Sequence, residues 1–208
     1  MKDKALILIS GTTKGLGSFL KSIFVEYDVV GINRVTNNEH DLKFDLSEVD
    51  YDFPKILNLV KNYKKIVFIS NASIIEPIDM VQNISEKDIE NSIFINYINP
   101  AKIILKIIQS KKEYIILNLT SGAAFTSNAE LSLYSSTKAA MHRFIEILKV
   151  EEQDNEKALL IDNFDPGRMQ TSMQENLIKI KRLDNNIAEL NRPEDIAKTI
   201  YELIRKFL

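Results

Sequence analysis

Residues 4–10 of the chain, KALILIS, form an unbroken aliphatic run that ends in Gly11-Thr12-Thr13-Lys14-Gly15-Leu16-Gly17, after which Leu16, Leu20, Ile23 and Phe24 recur at helical spacing. A strand that is apolar without alternation must be covered on both faces, which is the situation of a parallel strand with helices on either side. Strand, tight turn and helix make the first half of a β-α-β unit, so parallel strands must follow. The candidates are Asp28–Asn33 (DVVGIN), residues 42–44, Lys65–Ser70 (KIVFIS), Glu113–Leu119 and residues 158–163 (ALLIDN). Helical patterns lie between most of them. One is expected after Ser47 through Leu57 and Val60, with Ser47 as its cap. Another runs from Ser85-Glu86-Lys87-Asp88 through Ile108, carrying Asn96 and bent at Pro100, and the last opens at Arg192-Pro193. Residues 35–41 are too few for a crossover helix, so a loop is expected there. The alternation predicts an α/β fold, a doubly wound parallel sheet flanked by helices, in a single domain of residues 1–208.

Composition removes several function classes. The formal net charge of -2 offers no electrostatic footprint for nucleic acid. The chain has no cysteine and two histidines, His40 and His142, which leaves no thiol nucleophile and no evident metal site. No stretch reaches the ~20 apolar residues of a membrane span, and the short run at 5–9 lacks the features of a signal peptide. A cytoplasmic protein without membrane or nucleic-acid partners is expected.

In the glycine turn, Gly11, Gly15 and Gly17 permit a tight bend and close backbone approach, and a helix start behind them favours an anion such as a pyrophosphate. The turn residues Thr13, Lys14 and Leu16 would line that nucleotide. Arg34 ends the second strand, where an acidic residue would accept hydrogen bonds from an adenosine ribose and an arginine accommodates a 2′-phosphate. With Lys14 as a second cation and no acid at this strand end, NADPH is expected over NADH. Asn71 and Ala72, after the fourth strand, are small residues over which a cofactor could lie.

The stretch LNLTSGAAFTSNAELSLYSSTKAAMHRFIEI at 117–147 carries the chemistry. Tyr134 and Lys138 are four apart and share a helix face, so the ammonium can favour the phenolate. Ser121, at the carboxyl end of the preceding strand, would place a hydroxyl beside that phenol. Asn96, on an otherwise apolar helix, is either a satisfied core amide or part of a polar relay. Residues 168–190 are polar and interrupted, with Met169, Met173, Leu177 and Ile180 at helical intervals, and are expected to form a substrate lid.

Taken in order, the glycine turn, Asp45-Leu46, Asn71-Ala72, Asn96, Ser121, Tyr134, Lys138 and Asp165-Pro166-Gly167 through Thr171 resemble the short-chain dehydrogenase/reductase family over essentially the whole chain. The phrases NLTSGAA, YSSTKAA and PGRMQTSMQ look most like its benzil reductase and sepiapterin reductase branch. The resemblance implies a Rossmann-type fold and NADPH-dependent reduction of a ketone or diketone, a small-molecule carbonyl substrate. Tyr134 would be proton donor, Ser121 would hydrogen-bond the carbonyl oxygen, Lys138 would bind the ribose and hold the phenol acidic, and Asn96 would hold a relay water. Asp45, Leu46, Pro166, Gly167, Met169 and Thr171 join the cofactor residues by the same resemblance. A 3-oxoacyl thioester or a sugar is an alternative substrate, and a non-catalytic NADPH-binding regulator is a further alternative. Two replacements depart from the family pattern: Ser73 for the usual glycine of N-N-A-G, and Ser10 for threonine. The chain also ends without a seventh strand. A homodimer through the helices holding Ile103, Ile107, Phe144, Ile147 and Leu148 is expected.

Overall fold

The computed structural model describes residues 4–36, 38–49, 53–181 and 190–208. Six parallel strands form one sheet: β1 (Leu6–Ser10), β2 (Asp28–Asn33), β3 (Leu42–Lys43), β4 (Lys65–Ser70), β5 (Glu113–Leu119) and β6 (Ala158–Phe164), in the order β3-β2-β1-β4-β5-β6. Every residue of β1 is buried. Its period of two sends Leu6 and Leu8 into one apolar layer and Ile7 and Ile9 into the other. A fully buried Leu or Ile contributes about 1.5–3 kcal/mol relative to exposure, so this strand is the one that gains most from a central place. Among the described residues no further strand pairs with β6.

Helices α2 (Phe53–Val60), α4 (Asn99–Gln109) and α5 (Ser132–Glu151) cover one face, contributing Ile56, Ile103, Ile107, Met141 and Ile145 to its core. Helices α1 (Gly15–Ile23) and α7 (Pro193–Ile204) cover the other through Leu16, Leu20, Phe24, Ala197, Ile200 and Ile204. This is the doubly wound arrangement that the strand pattern predicts. The strand order reverses between β1 and β4, and in open α/β sheets ligands bind in the crevice at the carboxyl ends beside such a reversal.

Several local expectations are revised. Ser47 does not cap α2: its amide and hydroxyl both donate to Asp45 Oδ1, at 2.9 and 2.7 Å, closing a turn after β3. The helix expected to bend at Pro100 instead changes its winding earlier. Helix α3 (Glu86–Ile93) starts at a Ser85/Asp88 capping box and passes through one π-type turn, Phe94–Ile98, into α4. Pro100 then falls in the first turn of α4, where its missing N–H is no loss. Among its described residues the loop after β2 has no helix, in keeping with its length. It is pinned by Asp41, whose carboxylate takes Lys21 Nζ at 2.6 and 2.7 Å, the Gly31 amide at 2.9 Å and Asn33 Nδ2 at 3.1 Å. Of the five residues assigned to a dimer face, Ile103, Ile107 and Leu148 belong to this chain's own core and Phe144 packs on it. Ile147 alone of that group stays exposed.

Candidate active site

The cleft begins where β1 gives way to α1. Gly11 and Gly15 have φ of +73° and +58°, and a Cβ on Gly17 would stand 1.9 Å from the Gly11 carbonyl oxygen. Gly17 therefore lies beneath the turn and makes close packing possible, while Gly11, Thr13, Lys14, Gly15 and Leu16 line the cleft. The strand ends are tied together around this turn. Ser10 Oγ accepts from the amides of Asn71 and Ala72 at 3.0 and 2.9 Å, and Asn71 Nδ2 donates to the Ser10 and Gly11 carbonyls, both at 2.9 Å. Asn33 Oδ1 accepts from the Thr12 amide at 2.7 Å. Buried polar groups left unpaired are costly, so these bonds fix the turn's shape. Ser10, Asn33 and Asp41 were not read as site-building residues, and only their positions at strand ends hint at the role.

Lys14 and Arg34 line one cavity of about 960 Å³ together with Asp45, Leu46 and Ala72. This cavity runs into a second of about 240 Å³, bounded by Asn71, Tyr134, Lys138, Pro166, Met169 and Thr171. A third, about 500 Å³, opens beyond Tyr134 and is walled by Ser121, Gly167, Leu177 and Lys181. Shared walls make the three one cleft. Apart from Gly17 and Asn96, every residue singled out in the sequence as binding or catalytic lines it.

Ser121 lies just past β5 and Tyr134 in the first turn of α5, and both side chains line the third cavity. Burial pushes the Tyr134 phenol above its ordinary pKa, the nearby Ser121 hydroxyl pulls it down, and Asp165 pushes it up again. Lys138 is 7% exposed, and burial lowers its pKa to about 8, with Asp165 opposing. Its Nζ donates to the Leu119 carbonyl at 2.8 Å and stands 5.8 Å from the centre of the Tyr134 ring, over the face. The expected lowering of the phenol by Lys138 is thus not realised in this arrangement. The ammonium addresses the ring and a backbone carbonyl, and burial dominates.

The Asn96 side chain is a fully engaged amide. Its Nδ2 donates to the Ile74 carbonyl and Thr137 Oγ1 at 2.9 and 3.0 Å, and its Oδ1 accepts from the Ile74 amide and Ser73 Oγ at 2.9 and 3.1 Å. An amide with two donors and two acceptor positions is thereby satisfied. Its side chain has no remaining position for a relay water, and it clamps the loop after β4 to α5. Ser73 in place of glycine is used in this clamp.

Over the third cavity lies α6 (Ser172–Lys181), which presents Met173 and Leu177. Asn176 Nδ2 donates to Glu76 Oε1 at 2.9 Å, and Lys181 Nζ donates to the Ala129 carbonyl at 2.6 Å. The rest of the expected lid, residues 182–189, lies outside the described residues.

A parallel sheet with a glycine turn at its reversal point and a Ser-Tyr-Lys group at the next strand end defines a nucleotide-dependent oxidoreductase site. The short chain dehydrogenase family model matches residues 5–181, and the chain belongs to that family. It is 26% identical to benzil reductase ((S)-benzoin forming) of Bacillus cereus over 95% of this chain and 93% of that enzyme. The enzyme of the same name from Bacillus subtilis (strain 168) is also 26% identical, over 97% and 93%. Among solved structures, 4-hydroxyisoleucine dehydrogenase complexed with NADH superposes with a TM-score of 0.80 at 21% identity, covering 96% of this chain and 90% of that one. ElxO with NADP bound gives 0.78 at 22%, covering 96% and 91%. These last two establish likeness of fold.

Proposed function

We propose that this protein is an NADPH-dependent carbonyl reductase that converts a ketone or vicinal diketone to the alcohol, with Tyr134 as proton donor. The observation that carries the proposal is the grouping of Ser121, Tyr134 and Lys138 at the point where the long nucleotide-sized cleft meets the third cavity. The cleft suits a dinucleotide: its floor is the glycine turn, and its far end holds Lys14 and Arg34 for a 2′-phosphate. Bound there, the reduced nicotinamide supplies hydride. Ser121 orients the carbonyl oxygen, and Tyr134 gives it a proton. A phenol held protonated by burial is suited to donation, so its raised pKa favours the reductive direction. Lys138, still mostly charged at pH 7, offers a cation to the ribose and to charge developing near Tyr134. Residues 168–190 act as the substrate lid, of which α6 supplies the apolar wall. Similarity to the benzil reductases supports a diketone substrate.

We further place the enzyme in the cytoplasm as a homodimer. Among the described residues no helix is long and apolar enough to cross a membrane, and the outer faces of α4 and α5 leave Leu105, Ile147 and Val150 47%, 45% and 64% exposed. Exposed apolar side chains on two helices that cover the same face of the sheet suit contact with a two-fold mate.

The decisive experiment follows NADPH absorbance with benzil and a panel of smaller diketones. Oxidation of NADPH with benzil, and a dissociation constant for NADPH well below that for NADH, are expected. Equal constants for the two cofactors would remove the NADPH assignment, and inertness toward every carbonyl offered would remove the reductase assignment. Sedimentation of a lone 23.8 kDa species at micromolar concentration would remove the dimer.

A further inference from the structure

Asp165 is a carboxylate with no task in the reaction as proposed above, yet it stands in the substrate cavity. It shares that wall with Ser121 and Tyr134. Its Oδ2 lies 3.7 Å from where a Cβ on Gly122 would be, so it borders the residue next to Ser121. Its Oδ1 accepts the Gly167 amide at 2.8 Å, which fixes the side chain's direction. Among the described residues Oδ2 accepts no hydrogen bond.

Two cations share this cavity, and both are engaged elsewhere. Arg168 donates to Gln174 through Nε and Nη2 at 3.3 and 3.1 Å, with that amide turned to accept. Lys181 donates to the Ala129 carbonyl at 2.6 Å and pairs with Glu130 at 3.4 Å. Asp165 therefore has no ion pair with either; it does act on the Lys138 ammonium, raising its pKa, but Lys138 donates to the Leu119 carbonyl and not to Asp165.

A negative charge there acts on the chemistry in a definite sense. Hydride arrival makes the carbonyl oxygen negative beside Ser121 and Tyr134, and a nearby carboxylate opposes that development unless something positive or proton-donating stands between them. An apolar diketone brings no such group, whereas a substrate with a donor beside its carbonyl does. A carboxylate that gains a charge-assisted hydrogen bond from the substrate changes from a liability to an anchor.

We propose that Asp165 is a specificity-determining residue that selects carbonyl substrates carrying a hydrogen-bond donor, a protonated amine above all and a hydroxyl next, on the carbon beside the reacting carbonyl. The inference rests on the reductase reading and narrows its substrate class. It distinguishes this chain's preferred substrates from benzil, the compound named for its relatives, which has no donor.

Aminoacetone and hydroxyacetone carry a donor beside the carbonyl and butanedione, a small methyl ketone like them, carries none, so kcat/KM for the three is measured with NADPH in the unmodified protein and in Asp165→Asn. Asparagine keeps an acceptor for the Gly167 amide and removes the charge. The expected result is a loss of tenfold or more for aminoacetone, a smaller loss for hydroxyacetone, and an unchanged or raised value for butanedione. Asp165→Glu, which retains the charge, should keep aminoacetone ahead of butanedione, and it serves as the second variant if the asparagine protein does not fold. Equal changes for all three substrates, or reduction of butanedione without aminoacetone, would overturn the inference while leaving the reductase intact. If none is reduced while benzil is, the inference is overturned; if benzil is inert as well, the proposed function falls, and calorimetric titration with aminoacetone decides the remainder. Weaker binding to Asp165→Asn supports the role of the carboxylate, and equal or absent binding overturns it.

Discussion

The two halves of the cleft are built in different ways. Around the glycine turn, backbone groups are held by short polar side chains at strand ends: Ser10, Asn33 and Asn71 are each bonded across strands, and Asp41 locks the loop behind β2. Around Ser121 and Tyr134, the far wall consists of loop residues 122–128, the turn at Asp165 and α6, joined by exposed contacts such as Asn176 to Glu76 and Lys181 to Glu130. One half is set by buried bonds between sheet ends, the other by side chains on segments that only touch the sheet. Disturbing the first should damage fold and cofactor affinity together, whereas changes in the second should alter substrate choice while the fold persists.

The largest effect expected is on rate. Tyr134→Phe keeps the ring and removes the proposed proton donor, so turnover should fall on the order of 10²–10⁴-fold, the usual contribution of general acid catalysis, with NADPH binding retained by fluorescence titration. Retention of most activity would mean that the junction between the two halves does not carry the chemistry.

Next comes the buried anchor of the cofactor half. Asp41→Ala leaves Lys21 and Asn33 without their shared partner. Breaking a buried ion pair from one side costs roughly 3–5 kcal/mol, and the Asp41 side chain is 4% exposed while that of Lys21 is 25%. The lower part of that range is expected in chemical denaturation, with NADPH affinity falling alongside. A loss confined to stability would separate the Asp41 lock from the cofactor site.

Lys138 should behave in the opposite sense for stability. Its folded pKa of about 8 is below its ordinary 10.5, so between those values the unfolded chain binds more protons and stability from this group rises with pH. At neutral pH the buried charge costs at most about 3 kcal/mol, from ~1.4 kcal/mol per pKa unit. Lys138→Met should therefore raise the melting temperature at pH 7 while abolishing turnover. The gain should shrink as pH climbs from about 8 toward 10.5, because the native lysine then loses its charge. A variant less stable than the parent at pH 7 would show that the bond to the Leu119 carbonyl outweighs the burial.

Arg34→Asp tests the distal end of the cleft. It should shift preference from NADPH toward NADH by about 1–3 kcal/mol, the scale of hydrogen bonds to charged groups, read as the ratio of the two dissociation constants. The smallest change is expected in the substrate half: Leu177→Ala on α6 should raise KM for a bulky diketone by an amount on the order of 1 kcal/mol or less, leaving kcat and NADPH binding nearly as they were. A comparable loss of NADPH affinity would show that α6 supports both halves.

How much of this was legible in the residues follows the same division. Strands β1, β2, β4 and β5 were read at their observed carboxyl ends, because each is an aliphatic run that ends at, or just before, a small or polar residue. The glycine turn, Ser121, Tyr134 and Lys138 were legible because the fold needs those residue types at fixed places after a strand. Less legible were residues whose partners are distant in sequence. Asn96 could not be assigned until Ser73, Ile74 and Thr137 were brought to it, and the Ser47 hydroxyl could serve either a helix or Asp45. The helix change near Pro100 was placed a turn too late, because proline marks where a helix can start as well as where one bends.

The sequence by itself determined the parallel sheet, the place of the nucleotide turn and the spacing of the Ser-Tyr-Lys group, since strand burial, glycine geometry and helical periodicity act over a few neighbouring residues. Only the tertiary structure decided that the apolar residues Ile103, Ile107 and Leu148 face this chain's own sheet, that Lys138 turns to the Leu119 carbonyl, and that Asp165 comes to the wall beside Ser121. Those outcomes depend on which segments meet across the sheet. Solvation and electrostatics at such meetings are set by the assembled surroundings, which no local pattern of residues encodes.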